Sequence, residues 1–348
     1  MSSDTFSLLK TLCETPGPVG REKLVQQFMR NKFTQLGLSI EEDKIGNLIA
    51  TMKGTKKKYA IVAHSDEVGF LVSSYDCNGF IKAKWNTQSH IPDLRLLPGQ
   101  EITILTDSGP VPGFFCVKTA HVAGPKEKRK LPNYEDIFID IGVSSDSEIL
   151  EMGIHIGDPI VYASEVKHIG RNVVGKSMDD RVGLVVLIKI AEKLAEIPES
   201  QRPTVILVST VMEELGAKGA AAVARDLDVD AVMIIDVGLA DDYPGTNGDE
   251  GSSLNKGPVI VIKDNHMHYS HDFNKGIIAI AEKEEIPLQR AVYHNYTTDG
   301  YQIASQGQRV SVIGVPCRYT HSSFETISLD DLEKTIRLVK AILLDSTE

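Results

Sequence analysis

An α/β fold, with a mostly parallel mixed sheet covered by helices and a small inserted β-barrel-like domain, is predicted by three observations. Short continuous apolar runs recur at residues 59–63, 204–210, 231–235 and 310–315, and such runs mark strands buried on both faces. Helical stretches separate them, at about 180–196, 217–226, 272–285 and 329–344; strands alternating with helices argue for a mostly parallel sheet. From about 71 to 165 the pattern changes to short strand-like pieces joined by turn residues, which reads as an all-β block inserted into an α/β chain.

Taken in order, a helix is expected over residues 21–36, where Leu24, Val25, Phe28, Met29, Phe33 and Leu36 share one face and Gly37 stands ready to stop it. The run at 59–63 is the first strand of the sheet. The β-block follows, with strand-like pieces at 70–75, 80–85, 101–106, 111–118, 136–143 and 159–163. One short helix interrupts it, opened by Ser145-Asp-Ser-Glu148 and closed by Gly153. The chain then re-enters the sheet, and its last helix begins at the capping-box pattern Ser328-Leu-Asp-Asp331. The expected division is one catalytic domain formed by residues 1–70 and 166–348, with 71–165 as the insert. A length of 348 residues suits two domains.

Composition narrows the function classes. The net charge is −11, from 37 basic and 48 acidic residues, which argues against a nucleic-acid or anionic-membrane surface, since phosphate binding needs clustered positive charge. No apolar run approaches the ~20 residues of a membrane span, and the start Met-Ser-Ser-Asp-Thr lacks the basic residues of a signal peptide. The expected location is the cytoplasm, with no membrane partner. Cys13, Cys77, Cys116 and Cys317 are scattered, form no C-x-x-C pair, and read as small buried hydrophobes.

The chemistry is carried by polar residues placed just past the buried runs. His64-Ser-Asp66 follows the first run at once, Glu213-Glu214 follows the 204–210 run, Asp236 directly ends the 231–235 run, and His321 lies a few residues beyond 310–315. In open α/β sheets the ligand crevice lies outside the carboxyl ends of the strands. Met178-Asp179-Asp180-Arg181 adds a further candidate where a helix starts. Alone, each piece has a bland reading, such as acids at a helix N-terminus for Asp-Asp-Arg. Together they deliver two imidazoles and several carboxylates to one edge.

Mixed imidazole and carboxylate donors suit Zn²⁺, Co²⁺ or Mn²⁺. Two histidines and three carboxylates fit two metals sharing a bridging carboxylate, typically ~3.5–4 Å apart. Asp66 points from the same side of an extended segment as His64 and is placed to accept the free imidazole N–H. Of the adjacent Glu213 and Glu214, one can bind metal while the other takes a proton from water during attack on a carbonyl.

At these residues the sequence resembles the tetrahedral (TET-type) metallo-aminopeptidases, also called deblocking or glutamyl aminopeptidases. The motifs that carry the resemblance are Ala63-His-Ser-Asp-Glu-Val-Gly69, Gly175-Lys-Ser-Met-Asp-Asp-Arg-Val-Gly183, Glu213-Glu-Leu-Gly216, Ile235-Asp-Val-Gly238 and Arg318-Tyr-Thr-His-Ser322. It covers nearly the whole chain, including Val117-Lys-Thr-Ala-His121 and Ile139-Asp-Ile-Gly142 of the insert. The resemblance implies a zinc-exopeptidase-like fold and two divalent ions per subunit, Zn or Co first and Mn next. It implies His64 and Asp236 on one metal, Glu214 and His321 on the other, and Asp179 between them. Glu213 becomes the general base, Asp66 orients His64, and the peptide bond Asp179–Asp180 is expected to be cis. Peptides are the implied substrates, and the insert is implied to pair subunits into dimers that assemble as dodecamers.

Two departures from the family pattern bear on the substrate pocket: Met212 before Glu-Glu, and Tyr296-Thr-Thr-Asp-Gly300 where a glycine-rich Gly-Thr-Asp motif is usual. The cluster His266-Met-His-Tyr-Ser-His271 is read as a loop lining the pocket rim or as plain surface rather than as a third metal site. The competing readings are a related two-metal carboxypeptidase or deacylase, and a catalytically silent assembly protein. Some family members carry an endoglucanase label, but glycoside hydrolysis rests on two carboxyls flanking one bond, and the imidazole-rich set fits metal hydrolysis better.

Overall fold

A computed structural model describes residues 3–88, 92–126, 129–246, 248 and 251–345. The outermost residues of the expected domain spans, and positions 89–91 and 127–128 of the expected insert, lie outside the described residues.

The four apolar runs form the centre of an eleven-stranded sheet as the adjacent parallel strands Thr204–Thr210, Lys58–His64, Ala231–Leu239 and Val310–Arg318. Alternation explains why the runs are continuous. Ile61 and Ala63 face one apolar cluster while Ala60 and Val62 face another, so a strand with a core on each side carries no polar face. The first cluster is covered by helices Ser3–Glu14, Lys23–Gln35, Met178–Ala195, His271–Lys283 and Leu329–Leu344. The second lies under the shorter helices Lys218–Val223 and Gly300–Ser305.

Antiparallel strands flank this centre. Leu48–Met52 and Ser39–Glu42 extend one side, and Glu325–Ser328, Asn172–Gly175 and Lys167–Ile169 extend the other. Val259–Lys263 runs antiparallel to Val310–Arg318 and parallel to Gln289–Val292. None of these pieces is among the buried runs read from the sequence: they are short and mostly lie at the margins of the sheet. The helix Ser3–Glu14 was likewise not anticipated. The helix expected from residue 180 spans Met178–Ala195, but Asp179 and Asp180 have non-helical backbone angles, so regular winding begins at Arg181.

The β-block closes into a separate antiparallel barrel in the order Phe70–Tyr75, Ile81–Trp85, Phe138–Asp140, Gly109–Cys116, Glu101–Thr106 and Pro159–Tyr162. Its centre is aromatic. The Phe70 ring lies 4.9 Å from Trp85, 4.7 Å from Phe115 and 5.9 Å from Tyr162, each in an edge-on arrangement. One expectation needs correction here. Cys13 and Cys317 are buried, but Cys116 is half-buried and Cys77 is exposed, because Cys77 sits in the turn between the first two barrel strands. All four thiols are free. No helix among the described residues is long and apolar enough to cross a membrane.

Candidate active site

The site forms where the sheet splits. Lys58–His64 pairs with Ala231–Leu239 only as far as Val62 and Ile234, whereas Ala231–Leu239 stays paired with Val310–Arg318 to Leu239 and Cys317. A gap therefore opens beside Asp236, which lies within its strand rather than ending it. On the other side, the N–H of Ser65 still reaches the carbonyl of Thr210 at 2.9 Å. The crevice at the carboxyl ends of a parallel sheet is here lined by His64, Asp179, Glu213, Glu214, Asp236 and His321, all on one cavity of about 530 Å³.

Within it, His64 Nε2 lies 3.0 Å from Asp179 Oδ1, and His321 Nε2 lies 3.6 Å from Asp179 Oδ2 and 3.1 Å from Glu214 Oε1. Two imidazoles thus face the two oxygens of one carboxylate. Donor atoms of His64, Asp179 and Glu214 all fall within 4.8 Å of one another, a spacing suited to a metal ion. The peptide bond Asp179–Asp180 is cis. Asp66, expected beside His64, has its backbone carbonyl 3.2 Å and its carboxylate 3.5 Å from His64 Nδ1. Its two carboxylate oxygens also accept the backbone N–H groups of Glu213 at 2.9 Å and Glu214 at 3.0 Å.

Three buried acids to which the sequence assigned no role of their own complete the surroundings. Asp180 accepts the N–H of Gly183 at 3.0 Å and that of His64 at 3.3 Å. Glu325 accepts the N–H of Asp179 at 3.1 Å and that of His321 at 2.6 Å. Glu67 accepts hydrogen bonds from Lys176 and Ser177 and from the N–H of Gly17. Their signal was adjacency alone: Asp180 and Glu67 each follow a chosen residue, and Glu325 lies four positions past His321. Ser177, Met212, Tyr319 and His321 have φ between 53° and 64°, a left-handed conformation uncommon outside glycine that gathers where function constrains the chain.

Electrostatics favours a cation. Burial, with the charges of Asp179 and Asp180, pushes the Asp236 carboxyl well above its usual range. Burial and the neighbouring Glu214, Asp299 and Asp66 do the same to Glu213. Burial opposes the protonated form of His64, yet hydrogen bonds to Asp179 and Asp66 prevail and hold its pKa well above the usual value. Burial opposes charge on Asp179 too, but the two imidazoles beside it pull its carboxyl below the ordinary range. Several buried carboxylates facing one cavity make a field that favours positive charge. The donor set fits divalent cations: nitrogen and carboxylate oxygen suit Zn²⁺, Co²⁺ or Mn²⁺.

The rest of the cavity wall comes from two sources. Trp85, Gln88, Pro92 and Asp93 lie on or beside the barrel, while His266, Tyr296, Thr297 and Tyr301 belong to the sheet side. Of the histidine cluster, His266 lines the cavity whereas His268 and His271 do not, and Tyr296 is anchored by its hydroxyl to the carbonyl of Val237 at 2.6 Å.

The chain was compared with known proteins. The family model described as M42 glutamyl aminopeptidase matches residues 46–338. The lysyl aminopeptidase of Pyrococcus furiosus is 29% identical over 97% of this chain and 96% of its own length. The TET aminopeptidase of the archaeon Thaumarchaeota archaeon SCGC AB-539-E09 superposes with a TM-score of 0.93 at 32% identity, covering 99% of this chain and 96% of that one. The TET1 peptidase of Pyrococcus horikoshii, which can assemble into a tetrahedron or a large octahedral shell, gives a TM-score of 0.88 at 29% identity over 98% and 99%. This chain is an aminopeptidase-type hydrolase and belongs to the M42 glutamyl aminopeptidase family.

Proposed function

We propose that the chain removes N-terminal residues from peptides by a two-metal mechanism, with His64 and Asp236 holding one divalent ion, Glu214 and His321 the other, and Asp179 shared between them. The observation that carries this reading is the divided carboxylate of Asp179, with Oδ1 facing His64 and Oδ2 facing His321. Bound divalent ions supply Lewis acidity to a carbonyl and acidify water. Glu213 is the proposed general base, taking a proton from the attacking water and returning it to the leaving amine. Asp66 and Glu325 keep the surrounding backbone in place through the N–H bonds described above.

Zn²⁺ or Co²⁺ is the proposed occupant, with Mn²⁺ next. We further propose residues 1–70 and 166–348 as the catalytic domain and 71–165 as a dimerisation domain, with dimers assembling into a dodecamer as TET structures do. The free thiols are in keeping with the cytoplasm as its compartment.

The test is a panel of aminoacyl-nitroanilides assayed with Co²⁺, Zn²⁺ and Mn²⁺, beside Nα-acetylated counterparts and a Glu213→Gln variant. Metal-dependent release is expected from at least one free-amine substrate and from none of the blocked ones. The variant should be slower by about 10²–10⁴-fold. Nitroaniline release from blocked substrates would overturn the requirement for a free amine, acetate release from them would point to a deacylase, and an active variant would remove Glu213 from the mechanism.

A further inference from the structure

Glu325 touches none of the proposed metal-binding atoms, yet it grips the backbone of two residues that carry them. It is the first residue of the strand Glu325–Ser328, registered opposite Gly175, and only 1% of it is exposed. Its Oε2 accepts the N–H of Asp179 at 3.1 Å and its Oε1 the N–H of His321 at 2.6 Å. Both donors have backbone that regular structure does not hold. Asp179 has non-helical angles at the head of its helix, and His321 has φ of 64°.

We infer that Glu325 is a positioning residue that locks the shared carboxylate of Asp179 to the loop of His321, so that metal affinity depends on a side chain outside the metal-binding set. The inference rests on the two-metal reading. The chemistry requires a carboxylate: two oxygens accept two N–H groups, whereas the isosteric amide of glutamine offers one acceptor and sets an NH₂ against the other donor. An N–H left unsatisfied in a buried setting is costly, and the backbone shifts to relieve it, carrying Asp179 or His321 out of register. The same device recurs at Asp66, which takes the N–H groups of Glu213 and Glu214. Asp236 has no need of it, because its backbone is fixed by pairing opposite Gly314.

The experiment compares wild type, Glu325→Gln and Glu325→Asp after metal removal. It measures zinc dissociation constants by chelator competition, the visible absorption of the cobalt-loaded proteins, and the melting temperature of the metal-free forms. Glu325→Gln should weaken zinc binding about 10–100-fold, the range for groups that orient ligands, and alter the cobalt spectrum. Glu325→Asp, one methylene shorter but with both acceptors, should recover part of that loss. Wild-type affinity and spectrum in Glu325→Gln would overturn the inference. If that variant does not fold, Glu325→Asp decides: weakened binding with the metal-free melting temperature kept upholds the inference, and unchanged binding overturns it. A wild-type protein that binds fewer than two ions would instead refute the reading on which the inference rests.

Discussion

His64 and Asp236 stand on the sheet, whereas Glu214 and His321 stand on loops beyond it, and different physics fixes the two pairs. The first pair inherits its position from strand pairing, His64 opposite Thr210 and Asp236 opposite Gly314, in strands buried on both faces. The second pair lies past the last ladder bond, where buried carboxylates of Asp66 and Glu325 grip the backbone instead. Exposure separates the two histidines: the His64 side chain is 3% exposed and that of His321 39%, while Glu214 is buried at 5%. A site built this way has one half set by the fold and another set by local polar contacts. Only the second half can be loosened without disturbing the sheet.

Asp179, which faces both halves, gives the largest expected effect. Asp179→Asn replaces one of its two acceptor oxygens with an NH₂ group, so binding of both ions should weaken beyond the ~10–100-fold seen for outer partners. Chelator competition checks this, and one ion retained at wild-type affinity would show that the carboxylate is not shared. Next come the two histidines. His64→Ala and His321→Ala should each lose one ion, but they should differ in the stability of the metal-free protein. Removing buried His64 leaves its hydrogen-bonded neighbours unpaired, at about 1–3 kcal/mol, while His321→Ala, at a side chain that is 39% exposed and lets water reach its partners, should cost less. Thermal melts that fall equally would break the contrast between halves. The smallest effect belongs to Gln88, on the barrel side of the cavity. Gln88→Ala should change KM by roughly twofold to tenfold, the worth of one hydrogen bond of about 0.5–1.5 kcal/mol, with metal content unchanged. A lost ion there would tie the barrel wall to the metal centre.

The same division governs what the sequence discloses. The four parallel strands were legible because burial on both faces forces continuous apolar runs, and polar residues just past those runs marked the crevice. The barrel was legible as a change to short alternating strands. The margins were not: Ser39–Glu42, Lys167–Ile169 and Asn172–Gly175 are three or four residues long, too short for periodicity to register. Asp180, Glu325 and Glu67 were passed over for a related reason. Each acts by accepting backbone or side-chain hydrogens in the folded chain, and an acid that does so has the same letter as one on the surface. Asp66 illustrates the limit well. Its spacing placed it beside His64, but nothing in the sequence indicated that its carboxylate would also cap Glu213 and Glu214 from another strand end.

In the proposed mechanism one carboxylate, that of Asp179, joins two metal positions at the split in the sheet. Anomalous diffraction from crystals of the zinc-loaded protein, collected on both sides of the zinc edge, tests it most directly. Two peaks per subunit are predicted, roughly 3.5–4 Å apart, one against His64 and Asp236 and one against Glu214 and His321, with Asp179 touching both. A single peak, or two peaks that do not share Asp179, would contradict it.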